Sequence, residues 1–206
     1  MRQETLLKII GLMREDLDRG QTIMGISKKL DIGYRPAHMH ITEMEKEGMI
    51  RSEKVGAAKQ CRLNLQNPLT RHQLMALDMF KAEKVYEKNA KLKAIIDGLI
   101  EKVTNQYLSK VQSIVLFGSQ AKGSATKQSD IDLLFIVNDL KDKEVREAIE
   151  RECAGYQYSH NIRVSPLITD IVEFKKMLEA KELNVGKEIR KDGISLFGHE
   201  LFWRII

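Results

Sequence analysis

Apolar positions in the first 66 residues recur first at helical and then at strand spacing. Leu6, Leu7, Ile9, Ile10, Leu12, Met13 and Leu17 describe one amphipathic face over residues 1–19, and Gly20 ends it, as a left-handed residue past a helix commonly does. Ile26 and Leu30, four apart, mark a short helix over 24–30. Arg35-Pro36 opens another, proline being tolerated in a first turn, with Ala37, Ile41 and Met44 on one side and Gly48 closing it. Met49-Ile50 begin a strand, Gly56-Ala-Ala58 turns it, and alternation at Cys61, Leu63 and Leu65 brings it back. After the break Asn67-Pro-Leu-Thr70, where Thr70 can cap, apolar positions from Leu74 to Leu108 keep helical spacing without a proline. This predicts one long helix or two consecutive ones joined near Asn89. Its stripe either packs on both flanking regions or pairs with the same stripe of a second subunit.

From Val115 onward the pattern changes to sheet. Two apolar strands flank a Gly-Ser turn and a short polar stretch, the second strand covering 131–137. A helix over 141–156, a strand over 161–169, helices over 170–180 and 184–192, a short strand at 194–197 and a final helical turn from His199 follow. The expected class is α+β, with a mixed sheet and helices packed on it.

The chemistry concentrates where these strands meet. Asp130 and Asp132, two apart on a strand, point the same way, and their charges repel unless a cation sits between them. Hard carboxylate oxygens in that arrangement suit Mg²⁺. Gly118 permits a sharp turn that leaves backbone N–H groups and the Ser119 hydroxyl at a helix start, where phosphate binds readily. The layout is that of a Mg-nucleotide site.

Gly118, Ser119, Ala121, Gly123, Ser129, Asp130 and Asp132 together resemble the signature of the polymerase-beta-like nucleotidyltransferase superfamily, especially its minimal branch. The ending from Lys191 to Phe202, followed by Trp203, is similar to that branch's C-terminal phrase, so the resemblance covers about 111–203. It implies Mg²⁺ on Asp130 and Asp132, which are then the catalytic carboxylates, and an NTP, ATP first among them, held at Gly118, Ser119 and Ser129. It also implies a partner, since such proteins often act as antitoxins that adenylylate a toxin of the HEPN class. Active relatives carry a third carboxylate on the next strand, yet Asn161–Thr169 contains no Asp or Glu. Alternation there presents either Arg163, Ser165 and Leu167 or Ile162, Val164 and Pro166, and neither set supplies a base. Asp170 and Glu173 are expected to cap and start a helix.

Three helices followed by a basic hairpin, with Met44-Glu-Lys-Glu-Gly-Met-Ile50 at the junction, resemble a winged helix-turn-helix domain over residues 1–66. The chain is thus expected to hold a winged helix over 1–66, a helical linker over 67–110 and a nucleotidyltransferase fold over 111–206. By this resemblance, Arg35, His38, Thr42 and His40 face double-stranded DNA from the recognition helix, and Arg51, Lys54, Lys59 and Arg62 from the wing. Glu43, Glu45 and Glu47 would repel phosphates approaching the far end of that helix. Reading two half-sites makes a homodimer the expected assembly.

Bulk properties fit a soluble chain. Of 206 residues, 43% are hydrophobic and 31% charged, which excludes a disordered polyelectrolyte. No apolar run approaches a membrane span, the N-terminus lacks a signal-peptide core, and the isolated Cys61 and Cys153 read as reduced thiols in the cytoplasm. The net charge is +5, with Lys and Arg in excess before residue 111 and 14 against 15 Asp and Glu after it. That asymmetry is compatible with nucleic-acid contact by the first half. Three functions remain open: a DNA-binding regulator whose second domain transfers NMP or senses nucleotide, a regulator whose second domain only dimerises or docks, and an enzyme acting on RNA or an aminoglycoside.

Overall fold

Residues 3–56, 58–126 and 128–206 are described by a computed structural model of the chain. Met1 and Arg2 of the expected first helix, and Ala57 of the expected hairpin turn, lie outside the described residues. The chain divides into two compact units, 1–77 and 78–206.

In the first unit, α1 (Gln3–Arg14) stops five residues before its expected end, and Gly20 at φ +76° turns the chain into the two-residue strand β1 (Gln21–Thr22). Thr22 caps α2 (Ile23–Lys29), its hydroxyl accepting the Gly25 N–H at 3.0 Å. A short turn leads to α3 (Tyr34–Lys46), which buries Ala37, Ile41 and Met44 as the spacing predicts. Strands β2 (Ile50–Val55) and β3 (Ala58–Leu63) form an antiparallel ribbon, and β1 adds to β3, giving the order β1-β3-β2. Sequence patterning misses β1 because two residues cannot display a period.

Helices α4 (Pro68–Lys88) and α5 (Ala90–Tyr107) are separate, and Asn89 caps the second by accepting the Leu92 N–H at 3.0 Å. Thr70 is not the cap of α4. Asn67 fills that role, accepting the Leu69 N–H at 2.8 Å, while the buried Thr70 hydroxyl donates to the Met49 carbonyl at 3.1 Å. The division between units falls within α4, so the stretch expected as a linker is shared between them.

The second unit is built on the sheet β6-β5-β4-β7. Strand β4 (Val111–Phe117) leads through the one-turn helix α6 (Gly118–Lys122) to β5 (Ile131–Val137), antiparallel to it. Helix α7 (Lys143–His160) then crosses to β6 (Val164–Asp170), parallel to β5. Helices α8 (Ile171–Glu179) and α9 (Val185–Asp192), strand β7 (Ile194–Phe197) and helix α10 (His199–Ile205) complete it. Strand β5 is central and covered on both faces, which is why it reads as Leu-Leu-Phe-Ile-Val after Asp132 rather than as an alternation. Leu116, Leu133 and Phe135 pack with Leu92, Ile96 and Leu99 of α5 and Val145 and Ile149 of α7. The stripe on α5 is therefore buried in its own unit, and this removes it as a face for pairing subunits. On the other face Phe174 of α8 lies 6.3 Å from Phe202 of α10, ring centre to ring centre. Trp203, fully buried, donates its indole N–H to the buried Asp78 carboxylate at 2.8 Å and so fixes α10 to the part of α4 in this unit.

Candidate active site

Register decides what gathers at the start of β5. Phe117 of β4 lies opposite Asp132, and Ser165 of β6 lies opposite it on the other side. Immediately after Phe117 the chain reverses into α6 through Gly118, at φ +69°. A Cβ at this position would overlap the Asp132 carboxylate, with Oδ2 in its place and Cγ 3.0 Å away. Two independent constraints therefore call for glycine: a left-handed backbone and a carboxylate seated against it. Ser119 follows, half-buried, and the first-turn N–H groups of α6 have no acceptor within the helix.

Electrostatics set Asp132 apart from ordinary surface acids. Burial pushes the Asp132 carboxyl above the usual carboxylate range, the charge of Asp130 adds to this, and Arg163 acts in the opposite sense. Arg163 Nε stands 3.7 Å from Asp130 Oδ2, the one cation placed on the pair among the described ion pairs. Half-buried carboxylates that repel one another and have oxygens to spare form a donor set that suits a hard cation. Among the described residues no group of three or more His, Cys, Asp or Glu side chains is placed to hold a metal ion.

Parallel pairing resolves the ambiguity of β6 in favour of the set with Ser165 and Leu167, because Asp132 and Ser165 are register partners, and Arg163 of that set lies just before the strand. Ser165 thus stands where a third acid would have to be. Asp170 is opposite Val137, five residues further on and about 16 Å along the strand. Its carboxylate accepts the Glu173 N–H at 2.8 Å as the cap of α8. Ser129 is occupied locally: its hydroxyl accepts the Thr126 N–H at 2.9 Å and shapes the loop that delivers Asp130. A cleft of about 520 Å³ adjoins α6, lined by Lys84, Lys88, Gln120, Gly123 and Thr126 among others, and its walls carry neither aspartate.

Comparison with known proteins concerns the same part of the chain. The nucleotidyltransferase domain family matches residues 92–193. A putative protein adenylyltransferase of Methanocaldococcus jannaschii, MJ0141, is 30% identical over 84 residues, which are 39% of this chain and 80% of that protein. The chain belongs to the nucleotidyltransferase family. A second putative protein adenylyltransferase of the same organism, MJ1305, is 32% identical over 81 residues, 38% of this chain, and the chain spans 55% of its length. Among solved structures, a toxin–antitoxin crystal structure with AMP-PNP gives a TM-score of 0.36 at 19% identity, covering 52% of this chain and 80% of that one. A MntA-HpeT toxin–antitoxin mutant gives 0.35 at 18%, covering 52% and 78%. The matched nucleotidyltransferase segment begins at Leu92, inside α5, and so includes the helix that forms one side of the core around β4 and β5.

The residues singled out in the first unit fall into two groups. On α3, Arg35 and His38 are exposed, His40 and Thr42 half-buried; the Thr42 hydroxyl donates to the His38 carbonyl at 2.8 Å. On the ribbon, Lys54 faces Lys59 and Arg51 faces Arg62 directly across the strands. Alternation puts these pairs on opposite faces, so the four cations expected on the wing do not form one surface. Lys59 reaches Glu45 on α3 at 2.6 Å and holds that carboxyl below its usual range, which removes one of the expected repulsive acids. Arg62 pairs with Glu53 at 2.7 Å. Arg35, Arg51 and Lys54 have no ion pair among the described residues.

Sequence reasoning left Arg163 as one of two alternatives and did not foresee Glu45 as the partner of Lys59. Neither could be read from the chain, since one depends on strand register and the other joins residues 14 apart on different elements.

Proposed function

We propose that the second unit binds Mg-NTP, ATP first, and transfers the NMP to a hydroxyl of a partner protein. The observation that carries this reading is the Asp132 carboxylate seated against Gly118, with the charge of Asp130 acting on it. Asp130 and Asp132 would hold Mg²⁺, which when bound supplies neutralising charge to the phosphate oxygens. Gly118 and Ser119 would orient the triphosphate, and Ser129 acts indirectly by holding the loop before Asp130. In the transfer, the acceptor oxygen attacks the α-phosphorus, the bond to the bridging oxygen breaks, and pyrophosphate leaves. The hydroxyl proton passes to water or to a base of the acceptor. A protein acceptor accords with the relatives named putative protein adenylyltransferases, and a HEPN-class toxin, implied by the family resemblance, is the first acceptor to test.

The first unit is proposed as a winged helix over residues 1–66 that binds double-stranded DNA. Supporting this are the order α1-β1-α2-α3-β2-β3 and the unpaired Arg35 and Lys54. His38 and Thr42 would contact the groove, and Lys59 and Arg62 would reach phosphate only by leaving Glu45 and Glu53. A homodimer would match paired half-sites.

Ser165 favours a second reading, in which the nucleotide is sensed and not consumed, because general-base help is worth about 10²–10⁴-fold. Incubation with α-labelled ATP, Mg²⁺ and a cell extract separates the two. Label on a protein band, absent with Asp130→Asn/Asp132→Asn, supports transfer. Nucleotide binding without label supports sensing, and binding of neither Mg²⁺ nor nucleotide removes both readings.

A further inference from the structure

Among the described ion pairs, one cation of the chain stands at the place where nucleotide chemistry wants positive charge. Arg163 immediately precedes β6, two residues before Ser165, and its Nε is 3.7 Å from Asp130 Oδ2. Val164, between them and buried, anchors this part of the strand. Two carboxylates and one guanidinium leave a single net negative charge. A first divalent ion more than offsets that charge. A second would have no further acid, since Ser165 stands at the position, and would meet the like charge of Arg163.

We infer that Arg163 takes the part of a second cation: the site holds one divalent ion, and the guanidinium turns from Asp130 to the triphosphate. This rests on the nucleotide reading above and specifies how that site is charged. The Arg163–Asp130 contact suits such an exchange. It is made through Nε alone, with the arginine side chain 66% and the aspartate 39% exposed. An exposed pair of this kind is weak, so an incoming ion displaces it with little loss. The freed guanidinium presents a planar fork of donors that matches phosphate oxygens.

Spin-resonance counting of Mn²⁺ on the full chain with saturating AMP-PNP tests this. Wild type is expected to hold one Mn²⁺ and Arg163→Ala/Ser165→Asp two. Arg163→Ala alone should bind AMP-PNP about tenfold more weakly, the effect of losing one charge-assisted contact. Without nucleotide it should bind Mn²⁺ more tightly, because Asp130 is released. Arg163→Lys should keep part of the nucleotide affinity. Two Mn²⁺ on wild type, or unchanged AMP-PNP affinity in Arg163→Ala, overturns the inference and leaves the nucleotide reading standing. Failure of wild type to bind either Mn²⁺ or AMP-PNP overturns both. The wild-type count decides even if a variant proves unstable.

Discussion

Like charges face one another in both units, but the chain treats them differently. On the ribbon, Lys54 opposes Lys59 and Arg51 opposes Arg62, an arrangement that destabilises a strand pair by itself. There the chain supplies relief: Glu45 takes Lys59 and Glu53 takes Arg62, at 2.6 and 2.7 Å. At the start of β5, Asp130 and Asp132 oppose one another in a more buried setting, and the relief is a single exposed arginine 3.7 Å from one of them. Asp132 is left with burial and repulsion together. The ribbon relieves one member of each facing pair at close range, whereas the acidic pair keeps a net negative charge beside its one arginine. Unrelieved charge in a half-buried place is the better pointer to a ligand.

Removing the acidic pair is the most drastic way to break this contrast. Mg-ATP at about 100 times its Kd should stabilise the wild type by about 2.7 kcal/mol, read as a rise in melting temperature. Asp130→Asn/Asp132→Asn should show no rise, and a rise equal to wild type would place the nucleotide elsewhere. Gly118→Ala comes next. The left-handed backbone should cost about 1–2 kcal/mol, and the added methyl displaces the Asp132 carboxylate, so stability and Mg-ATP response fall together. Loss of stability with an intact response would mean that only the backbone matters.

The ribbon sharpens the comparison from the other side. Lys54→Ala should reduce the salt dependence of duplex binding by a log–log slope of about 1, and Lys59→Ala by less, because Glu45 already holds that lysine. Equal slopes would show that the Glu45 pair opens on DNA. The smallest effect concerns stability without ligand. The Asp132 carboxyl is raised in the folded chain, so the ionised form is disfavoured there, and stability falls as pH rises above the ordinary carboxylate range. Asp132→Asn should therefore melt about 2 °C higher than wild type at neutral pH, and the advantage should vanish below about pH 4. A pH-independent difference would assign the effect to packing.

Elements with a strong period were legible in the chain. The face of α3, the join at Asn89, the strand at 131–137 and the cap at Asp170 all follow from spacing and local hydrogen-bonding residues. Thr70 was misread because a hydroxyl before a helix looks the same whether it caps that helix or reaches a distant carbonyl, and here Met49 wins. The stripe from Leu74 to Leu108 offered two partners, both flanking regions or a second subunit, since an apolar face does not name what covers it, and its α5 part is buried in its own unit. In the candidate site, Gly118, Ser119, Asp130 and Asp132 were recognisable from their spacing, because a turn and a two-residue alternation are properties of adjacent residues.

The amino-acid order by itself marked which side chains were candidates to meet a phosphate and a metal, and that residues 161–169 hold no acid. It did so because those features are local, written within one turn or one strand. Only the tertiary structure decided that β6 runs parallel to β5 with Ser165 beside Asp132 and Arg163 against Asp130, and that α5 belongs to the core. Pairing between strands more than 30 residues apart is set by the packing of whole faces, and no short-range pattern encodes it.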